Sequence, residues 1–245
     1  MISGGRLRSL LIVPTYNERD NLRSLAEKIF SASLKVDVLV VDDDSPDGTG
    51  EVGEELAGQY QHFQILHRKN DRGYGKACLE GFKRAIQQHY DYICTMDADL
   101  SHDPSELKNL LARLDEYDVV IGSRYVEGGK MEVDWSLFRR AVSRLGSAFA
   151  RFMLGLSLKD CTSGYRCYKR KVLESLDLDK IGSEGYSLLM EILYLCQQKG
   201  FRIGEVPIIY VDRQRGKSKL NRRVILEALF YVLKNGLRKI VLKYS

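Results

Sequence analysis

Two acidic side chains in the middle of the chain are spaced for metal chemistry. Asp97 and Asp99 flank one small residue, Ala98, directly after an apolar run that is typical of a buried strand. A pair in this position can direct both carboxylates toward one point at the end of the strand. Mg²⁺ and Mn²⁺ prefer such oxygen ligands and bind through one or two carboxylates plus substrate phosphates. The alternative is a turn whose aspartates only cap backbone N–H groups.

A second acidic cluster favours the metal hypothesis. Asp42, Asp43 and Asp44 follow another apolar run, and a strong turn signal, Ser-Pro-Asp-Gly, comes directly after them. Carboxylates that lie close together repel one another unless a cation is bound between them. If both acidic clusters lie at the same edge of a sheet, a divalent cation is the expected partner.

The surrounding elements predict that shared edge. Short apolar runs alternate with stretches of helical spacing, and the runs are continuously apolar instead of alternating with polar residues. This pattern is typical of an α/β fold with a mostly parallel sheet covered by helices on both faces. Ligands bind such sheets beyond the carboxyl ends of the strands. Strands are predicted at 10–13, 36–41, 63–66, 92–96, 119–121, 162–168 and 203–211, and helices at 21–30, 49–60 with Thr49 as N-cap, 73–88, 103–114, 135–154 and 187–198.

Six motifs occur in a fixed order along most of the chain. They are PTYNE (14–18), VDDDSPDGT (41–49), MDADLSH (96–102), GSRY (122–125), TSGYR (162–166) and VDRQRGKSKL (211–220). This set closely resembles the dolichol-phosphate mannosyltransferase branch of the family-2 glycosyltransferases. PTYNE and the DxD pair occur broadly in family 2, whereas the other acidic and basic motifs are more specific to polyprenyl-phosphate enzymes. The resemblance implies a GT-A glycosyltransferase domain at 1–220 and a C-terminal amphipathic helix at 221–245.

The resemblance also implies a binding site for the donor GDP-mannose. It assigns donor binding to Pro14, Tyr16, Glu18, Val41, Asp43, Asp97, Ala98, Asp99, Arg124, Arg213 and Lys219. The metal, Mg²⁺ or Mn²⁺, is expected on Asp97, Asp99 and Ser101. Relatives often have Gln where this chain has Ser101, and Gly or Asn where it has Asp44. Ser101 is expected to bind the metal directly or through a water molecule.

An anionic acceptor is implied by basic residues downstream. Arg139 and Ser143 are four residues apart on a predicted helix and so share one face. Together with Arg124, they are assigned by the resemblance to the phosphate of a polyprenyl or dolichyl acceptor. Guanidinium groups give phosphates bidentate, charge-assisted contacts. A solvated helix face is the alternative for the arginines at 139–140.

The implied reaction is a single in-line displacement with inversion at the sugar carbon. An acceptor phosphate monoester has a second pKa of about 6 and is already anionic at neutral pH, so no general base is required. The product would be a polyprenyl β-mannosyl phosphate for glycan or protein glycosylation. The residues that carry catalysis in this reading are Asp99, Arg124, Arg139 and Ser143.

Composition and hydropathy limit the cellular setting. The formal net charge of +5 is too diffuse to indicate nucleic-acid binding. No apolar run approaches the ~20 residues of a membrane-spanning helix. Five cysteines and four histidines lack the spacing of zinc sites. Because the acceptor is a lipid, we expect a peripheral enzyme on the cytosolic face of a membrane, the endoplasmic reticulum or a prokaryotic plasma membrane.

Two amphipathic stretches are candidates for the membrane contact. Residues 135–154 and 224–245 combine aromatic or aliphatic side chains with arginines and lysines, which suits an interfacial helix. The alternative is that both bury their apolar sides in the protein core. A small membrane-anchoring subunit is a possible further partner.

Three other functions compete with this reading. A polyprenyl-phosphate glucosyltransferase would use UDP-glucose instead of GDP-mannose. A non-catalytic module would bind the nucleotide sugar without transferring it, although the intact DxD and GKSKL motifs argue against that. A nicotinamide dehydrogenase is disfavoured because no GxGxxG follows the first strand.

Overall fold

A seven-stranded sheet forms the centre of the molecule. In the computed structural model, which describes residues 7–69, 72–133, 137–183, 185–213, 226 and 229–236, its strand order is β3-β2-β1-β4-β7-β5-β8. The strands are β1 (Ser9–Thr15), β2 (Asp37–Asp42), β3 (Phe63–His67), β4 (Tyr92–Thr95), β5 (Val119–Ser123), β7 (Arg166–Lys169) and β8 (Ile203–Pro207). All neighbours are parallel except β7, which is antiparallel to both β4 and β5. The predicted α/β class with a mostly parallel sheet is confirmed.

Helices cover both faces of this sheet. They are α1 (Arg19–Ser31), α2 (Thr49–Gln59), α3 (Tyr74–Gln87), α4 (Leu107–Ala112), α5 (Leu137–Leu154), α6 (Arg170–Ser175) and α7 (Ser187–Gln198), with 3₁₀ turns at Pro104–Glu106, Arg113–Asp115 and Leu178–Lys180. Alternate residues of β1 belong to different cores: Leu10 and Ile12 to one, Leu11 and Val13 to the other. All four side chains are fully buried, as a strand covered on both faces requires.

Two predicted strands differ from the structure. The strand expected at 203–211 is two strands, because the chain leaves the main sheet after Pro207, which has no N–H to donate. The second part, β9 (Ile209–Val211), pairs with β6 (Lys130–Glu132) in a separate two-stranded sheet. The strand expected at 162–168 begins only at Arg166, because Asp160 accepts the N–H groups of Thr162 and Ser163 in a turn.

Two helix predictions also needed correction. Thr49 is the first residue of α2 instead of its N-cap, and Gly48 is the cap, with a φ of 90°. The hydroxyl of Thr49 accepts from the backbone N–H of Glu18 instead, at 2.9 Å. The single helix expected at 103–114 consists of a 3₁₀ turn, α4 and a second 3₁₀ turn in succession.

The C-terminal part of the chain is described only in places. The proposed boundary at 220–221 and most of the helix predicted at 221–245 lie outside the described residues. Within the segment 229–236, which is helical, Val232 is buried in the core. A Cβ placed on Gly236 would lie 2.6 Å from the Met153 side chain, so this segment packs against α5. The division into two domains stays a prediction.

Candidate active site at the carboxyl edge of the sheet

The first two motifs form one hydrogen-bonded unit. Pro14 of β1 lies opposite Val41 of β2 in the sheet register. Past the strand ends, the backbone N–H of Asp43 donates to the Thr15 carbonyl at 3.0 Å. The side chain of Glu18 is buried and accepts from the Asn21 amide at 2.8 Å. The sequence therefore brings together the predicted donor residues of these two motifs at one sheet edge.

Asp43 is held by two donors from the loop before α3. One carboxylate oxygen is paired with Arg68, and the other accepts the backbone N–H of Gly73 at 2.6 Å. Burial raises the pKa of Asp43, while these two partners act in the opposite direction. The start of α3 thus binds a carboxylate of the chain itself.

Asp44 adopts a backbone conformation that favours glycine or asparagine. Its φ is 57°, in the left-handed region that Asp tolerates better than most residues. Arg72 donates to both its carbonyl and its carboxylate, at 2.9 and 2.7 Å, and also reaches the Tyr16 hydroxyl at 3.2 Å. These contacts hold Tyr16 beside the second acidic cluster.

The Asp97/Asp99 pair lies directly beyond β4. Asp99 is buried, and its Oδ1 accepts from both the N–H and the hydroxyl of Ser101, at 3.1 and 2.5 Å. Between them, Leu100 has a φ of 62°, a conformation that is costly for a leucine. This turn places the Asp99 carboxylate in the protein interior instead of on the surface. Ala98 is buried beneath the pair.

Two tyrosines and a glycine border Asp97. The Tyr74 hydroxyl donates to Asp97 Oδ1 at 3.2 Å, and the Tyr74 ring stacks on Tyr186 with centroids 4.6 Å apart. Burial and the charge of Asp97 raise the pKa of both tyrosines well above the ordinary value, so they remain protonated donors. A Cβ on Gly164 would lie 2.8 Å from Asp97 Oδ1, so this approach requires glycine.

Arg213 brings a positive charge to the acidic pair. Its Nη2 lies 3.5 Å from Asp99 Oδ2, and its side chain is 23% exposed. Burial lowers the pKa of Arg213, but the charge of Asp99 and smaller contributions from Tyr210, Tyr186 and Glu18 together outweigh it, so the net shift is upward. The predicted Lys219 lies outside the described residues.

Arg124 is engaged by a buried acid that the sequence did not suggest. Asp160 accepts from Nε and Nη2 of Arg124 at 2.7 and 2.8 Å, and the Thr162 hydroxyl accepts from Nη2 at 2.7 Å. Although burial opposes both charges, their attraction raises the pKa of Arg124 and lowers that of Asp160. The guanidinium also lies 5.3 Å from the Tyr210 ring centroid. Arg124 is therefore a fixed, permanently charged group.

A basic pocket of about 360 Å³ opens beside Arg124. Its lining includes three further cations, Arg144 and Arg151 of α5 and Lys159. The side chains of Arg139 and Ser143 lie outside the described part of the chain, so their assignment stays a prediction. The pocket shows that cations from two elements converge next to Arg124.

Several side chains at this site were not predicted from the sequence. Arg68, Tyr74, Asp160 and Tyr186 all contact predicted residues or their immediate partners. These contacts join distant parts of the chain and have no local pattern in the sequence.

Within the described part of the chain, the acidic edge offers a cation no more than two carboxylates. Among the residues that the structure describes, no three His, Cys, Asp or Glu side chains are grouped to hold a metal ion. The pair Asp97/Asp99 fits a Mg²⁺ or Mn²⁺ that takes its remaining ligands from phosphates and water.

Comparison with known proteins identifies the family. The model of glycosyl transferase family 2 matches residues 10–177, more than half of the chain. The chain belongs to glycosyltransferase family 2. It is 41% identical over 233 residues to polyprenol monophosphomannose synthase of Mycolicibacterium smegmatis, covering 94% of this chain and 88% of that protein. It is 42% identical over 231 residues to undecaprenyl-phosphate mannosyltransferase of Micrococcus luteus, covering 94% and 95%.

This chain also shares its fold with glycosyltransferases of known structure. One is glucosyl-3-phosphoglycerate synthase from Mycobacterium tuberculosis, solved with Mn²⁺, uridine diphosphate and glucosyl-3-phosphoglycerate. It superposes with a TM-score of 0.65 over 92% of this chain and 80% of that chain, at 20% identity. The fold is GT-A, as the resemblance of the motifs implied.

Proposed function

We propose that this chain transfers mannose from GDP-mannose to a polyprenyl or dolichyl phosphate, giving a polyprenyl β-mannosyl phosphate. The observation that carries the proposal is the acidic pair Asp97/Asp99, faced by Arg213 and lying at the same sheet edge as Asp43. The names of the two mannosyltransferase relatives support mannose and a polyprenyl phosphate. An edge built in this way suits a nucleotide diphosphate bound through a cation.

The donor would bind across the first two motifs and the DxD pair. Pro14, Tyr16 and Val41 would border the nucleoside, and Asp43 can accept from base or ribose donors. Arg213, together with Lys219, would bind the diphosphate and stabilise the charge that develops on the departing GDP. Because GDP leaves as an anion, no acid is needed to protonate it.

Mg²⁺ or Mn²⁺ would be held by Asp97 and Asp99. When bound, such a cation supplies Lewis-acid stabilisation to the diphosphate oxygens. Ser101 remains a proposed third ligand. In this structure its hydroxyl donates to Asp99 Oδ1, which holds that carboxylate in place.

The acceptor phosphate would bind on the basic side of the site. Arg124 is oriented by Asp160, and the pocket beside it adds the charges of Arg144, Arg151 and Lys159. A phosphate monoester is anionic at neutral pH, so these groups need only bind and orient it for in-line attack. Arg139 and Ser143 belong to the same proposed group.

Membrane contact would be made by exposed apolar side chains on two adjacent helices. The structure contains no described helix that is long and apolar enough to cross a bilayer. The exposed residues are Leu145, Phe149 and Phe152 of α5 and Leu226, Leu229, Phe230 and Leu233 of the C-terminal segment. With arginines on α5, this surface fits peripheral binding to an anionic, cytosolic membrane face. A small membrane-anchoring subunit would bind this same exposed apolar surface.

Transfer of labelled mannose tests the proposal. Purified full-length chain is incubated with GDP-[¹⁴C]mannose and a short polyprenyl phosphate, with Mg²⁺, Mn²⁺ or EDTA, and the lipid fraction is counted. We expect cation-dependent formation of an acid-labile mannosyl lipid. A preference for UDP-glucose over GDP-mannose would show a glucosyltransferase and refute the donor assignment. Binding of GDP-mannose without transfer would refute the reaction.

A further inference from the structure

His102 is a buried side chain at the end of the DxD motif. Its side chain is 1% exposed, and within the described part of the chain neither ring nitrogen has a hydrogen-bond partner. A neutral imidazole always carries one N–H, so at least one donor is buried without an acceptor. Buried polar groups are nearly always hydrogen-bonded, and an exception of this kind calls for a functional explanation.

Two tyrosine rings hold the imidazole in place. The ring centroid of His102 lies 5.0 Å from that of Tyr165 and 5.4 Å from that of Tyr210, which meets it edge to face. The Tyr165 hydroxyl in turn donates to the carbonyls of Asp103 and Pro104, at 3.1 and 3.3 Å. The orientation of the ring nitrogens is therefore set by packing.

Asp97 is the acid that this ring can reach. His102 Nε2 lies 3.7 Å from Asp97 Oδ2, just beyond the ~2.7–3.2 Å of a hydrogen bond. The other oxygen, Oδ1, already accepts from Tyr74. A small rotation of the Asp97 carboxylate closes the gap between Oδ2 and His102 Nε2.

A second carboxylate interacts electrostatically with the same ring. Glu106 follows His102 by four residues, and its Oε1 accepts from the Ile209 N–H at 3.1 Å. Its Oε2 is buried, again with no hydrogen-bond partner among the described residues. Burial raises the pKa of Glu106, and the charge of His102 is among the influences that lower it.

We infer that His102 is a positioning residue for the cation site: it donates Nε2–H to Asp97 Oδ2 when that carboxylate binds the divalent cation. The inference rests on the proposed function, because the cation site is part of it. Carboxylates that bind metals are themselves usually hydrogen-bonded, and removal of such a supporting donor typically lowers metal affinity about 10–100-fold. His102 supplies this support from a packed position.

Cation affinity measured apart from catalysis tests the inference. Mn²⁺ binding to the full chain is measured in the presence of GDP by electron paramagnetic resonance. His102→Leu replaces the imidazole with an apolar side chain of similar size that has no donor, and we expect Mn²⁺ affinity to fall about 10–100-fold. His102→Gln keeps an N–H donor and should recover part of the loss. GDP affinity in EDTA should not change in either variant.

Tyr165→Phe is the matched control for a merely structural effect. It removes the hydroxyl that anchors the 103–104 backbone while leaving the imidazole and its ring packing in place. We expect this variant to lower Tm and to keep the wild-type Mn²⁺ affinity. If it weakens Mn²⁺ binding as much as His102→Leu does, the effect is structural and the inference is overturned.

The remaining outcomes distinguish failure of the inference about His102 from failure of the proposed function. If wild type binds no Mn²⁺ with GDP, the proposed cation site fails and the role of His102 fails with it. If wild type and His102→Leu bind Mn²⁺ equally, only the inference is overturned. Should the leucine variant not fold, ¹⁵N spectra of the wild-type imidazole test the inference instead. Addition of Mg²⁺ and GDP should change the ¹⁵N chemical shift of His102 Nε2 to that of a hydrogen-bonded donor. An unchanged signal contradicts the inference.

Discussion

Gly164 packs directly against the carboxylate of Asp97. A Cβ at position 164 would lie 2.8 Å from Asp97 Oδ1 and 2.8 Å from the Tyr74 hydroxyl. Contacts this short essentially never occur for real Cβ atoms, so a side chain here must displace one of the two groups. The conformation of the DxD pair therefore depends on a glycine from a motif 67 residues downstream, since 164 − 97 = 67.

Gly164→Ala should impair catalysis more than it impairs folding. A displacement of about 1 Å in a positioning group can lower activity ~100-fold, so we expect a fall of this order in kcat/KM. Gly58→Ala is the control, because a Cβ there meets nothing within 4 Å and alanine suits a helix. Steady-state mannosyl transfer and Tm are measured on both. Wild-type kinetics in the Gly164 variant would show that Asp97 has room to move without consequence.

Asp99→Asn tests the charge of the acidic pair. The amide keeps the shape of the side chain but removes a negative oxygen ligand, so cation-assisted stabilisation of several kcal/mol is lost and kcat should fall about 1000-fold. Asp179→Asn is the control, since it breaks only the exposed pair with Lys83. Transfer is assayed across a Mn²⁺ titration. Full activity in Asp99→Asn would refute the metal role of this residue.

The Arg124–Asp160 pair should make stability depend on pH in the acid range. The folded-state pKa of Asp160 is below the ordinary value of 3.8. The stabilisation is therefore fully present above that ordinary value and is lost as the pH falls through the lower folded-state pKa. Removal of one partner from a buried pair costs about 3–5 kcal/mol, which we expect for Asp160→Asn at neutral pH.

Urea unfolding of wild type and Asp160→Asn across this range measures the effect. The difference in unfolding free energy between them should be constant near neutral pH and should shrink at pH values below about 4. A difference that does not change with pH would mean that Asp160 carries no titrating charge in the folded state.

Membrane binding should depend on Phe152 and Phe230, the two most exposed phenylalanines among the described residues. Phe152 is 82% exposed and Phe230 is 68% exposed, so neither stabilises the folded chain by burial. Insertion of a phenylalanine contributes about 1.5–3 kcal/mol, so each Phe→Ser variant should bind anionic vesicles about 10–100-fold more weakly. Leu7→Ser, which changes an exposed leucine outside both helices, is the control in the flotation assay. Equal binding of all variants would place the membrane contact elsewhere.

Local sequence patterns were sufficient for the sheet edge and its acidic clusters. Strands β1, β2 and β4 are continuously apolar, and the polar residues that follow each of them must lie at the same edge of a parallel sheet. Predicted residues such as Pro14 and Val41 are opposite one another in the register for this reason. The family motifs added roles that spacing alone could not assign.

Long-range pairs could not be predicted in the same way. Asp160 and Arg124 are 36 residues apart, and Tyr74 and Asp97 are 23 apart, with no periodicity linking either pair. The division of 203–211 into two strands was also missed, because apolar content continues through Pro207 while the hydrogen-bonding partner changes. These features depend on how distant segments pack against one another, which hydrophobic patterns do not encode.

A crystal structure with GDP and Mn²⁺ tests the central claim most directly. The account predicts electron density for Mn²⁺ between the diphosphate and the carboxylates of Asp97 and Asp99, with the nucleoside against Asp43 and Arg213 contacting the phosphates. A nucleotide bound away from these residues, in a crystal that holds Mn²⁺, would contradict it.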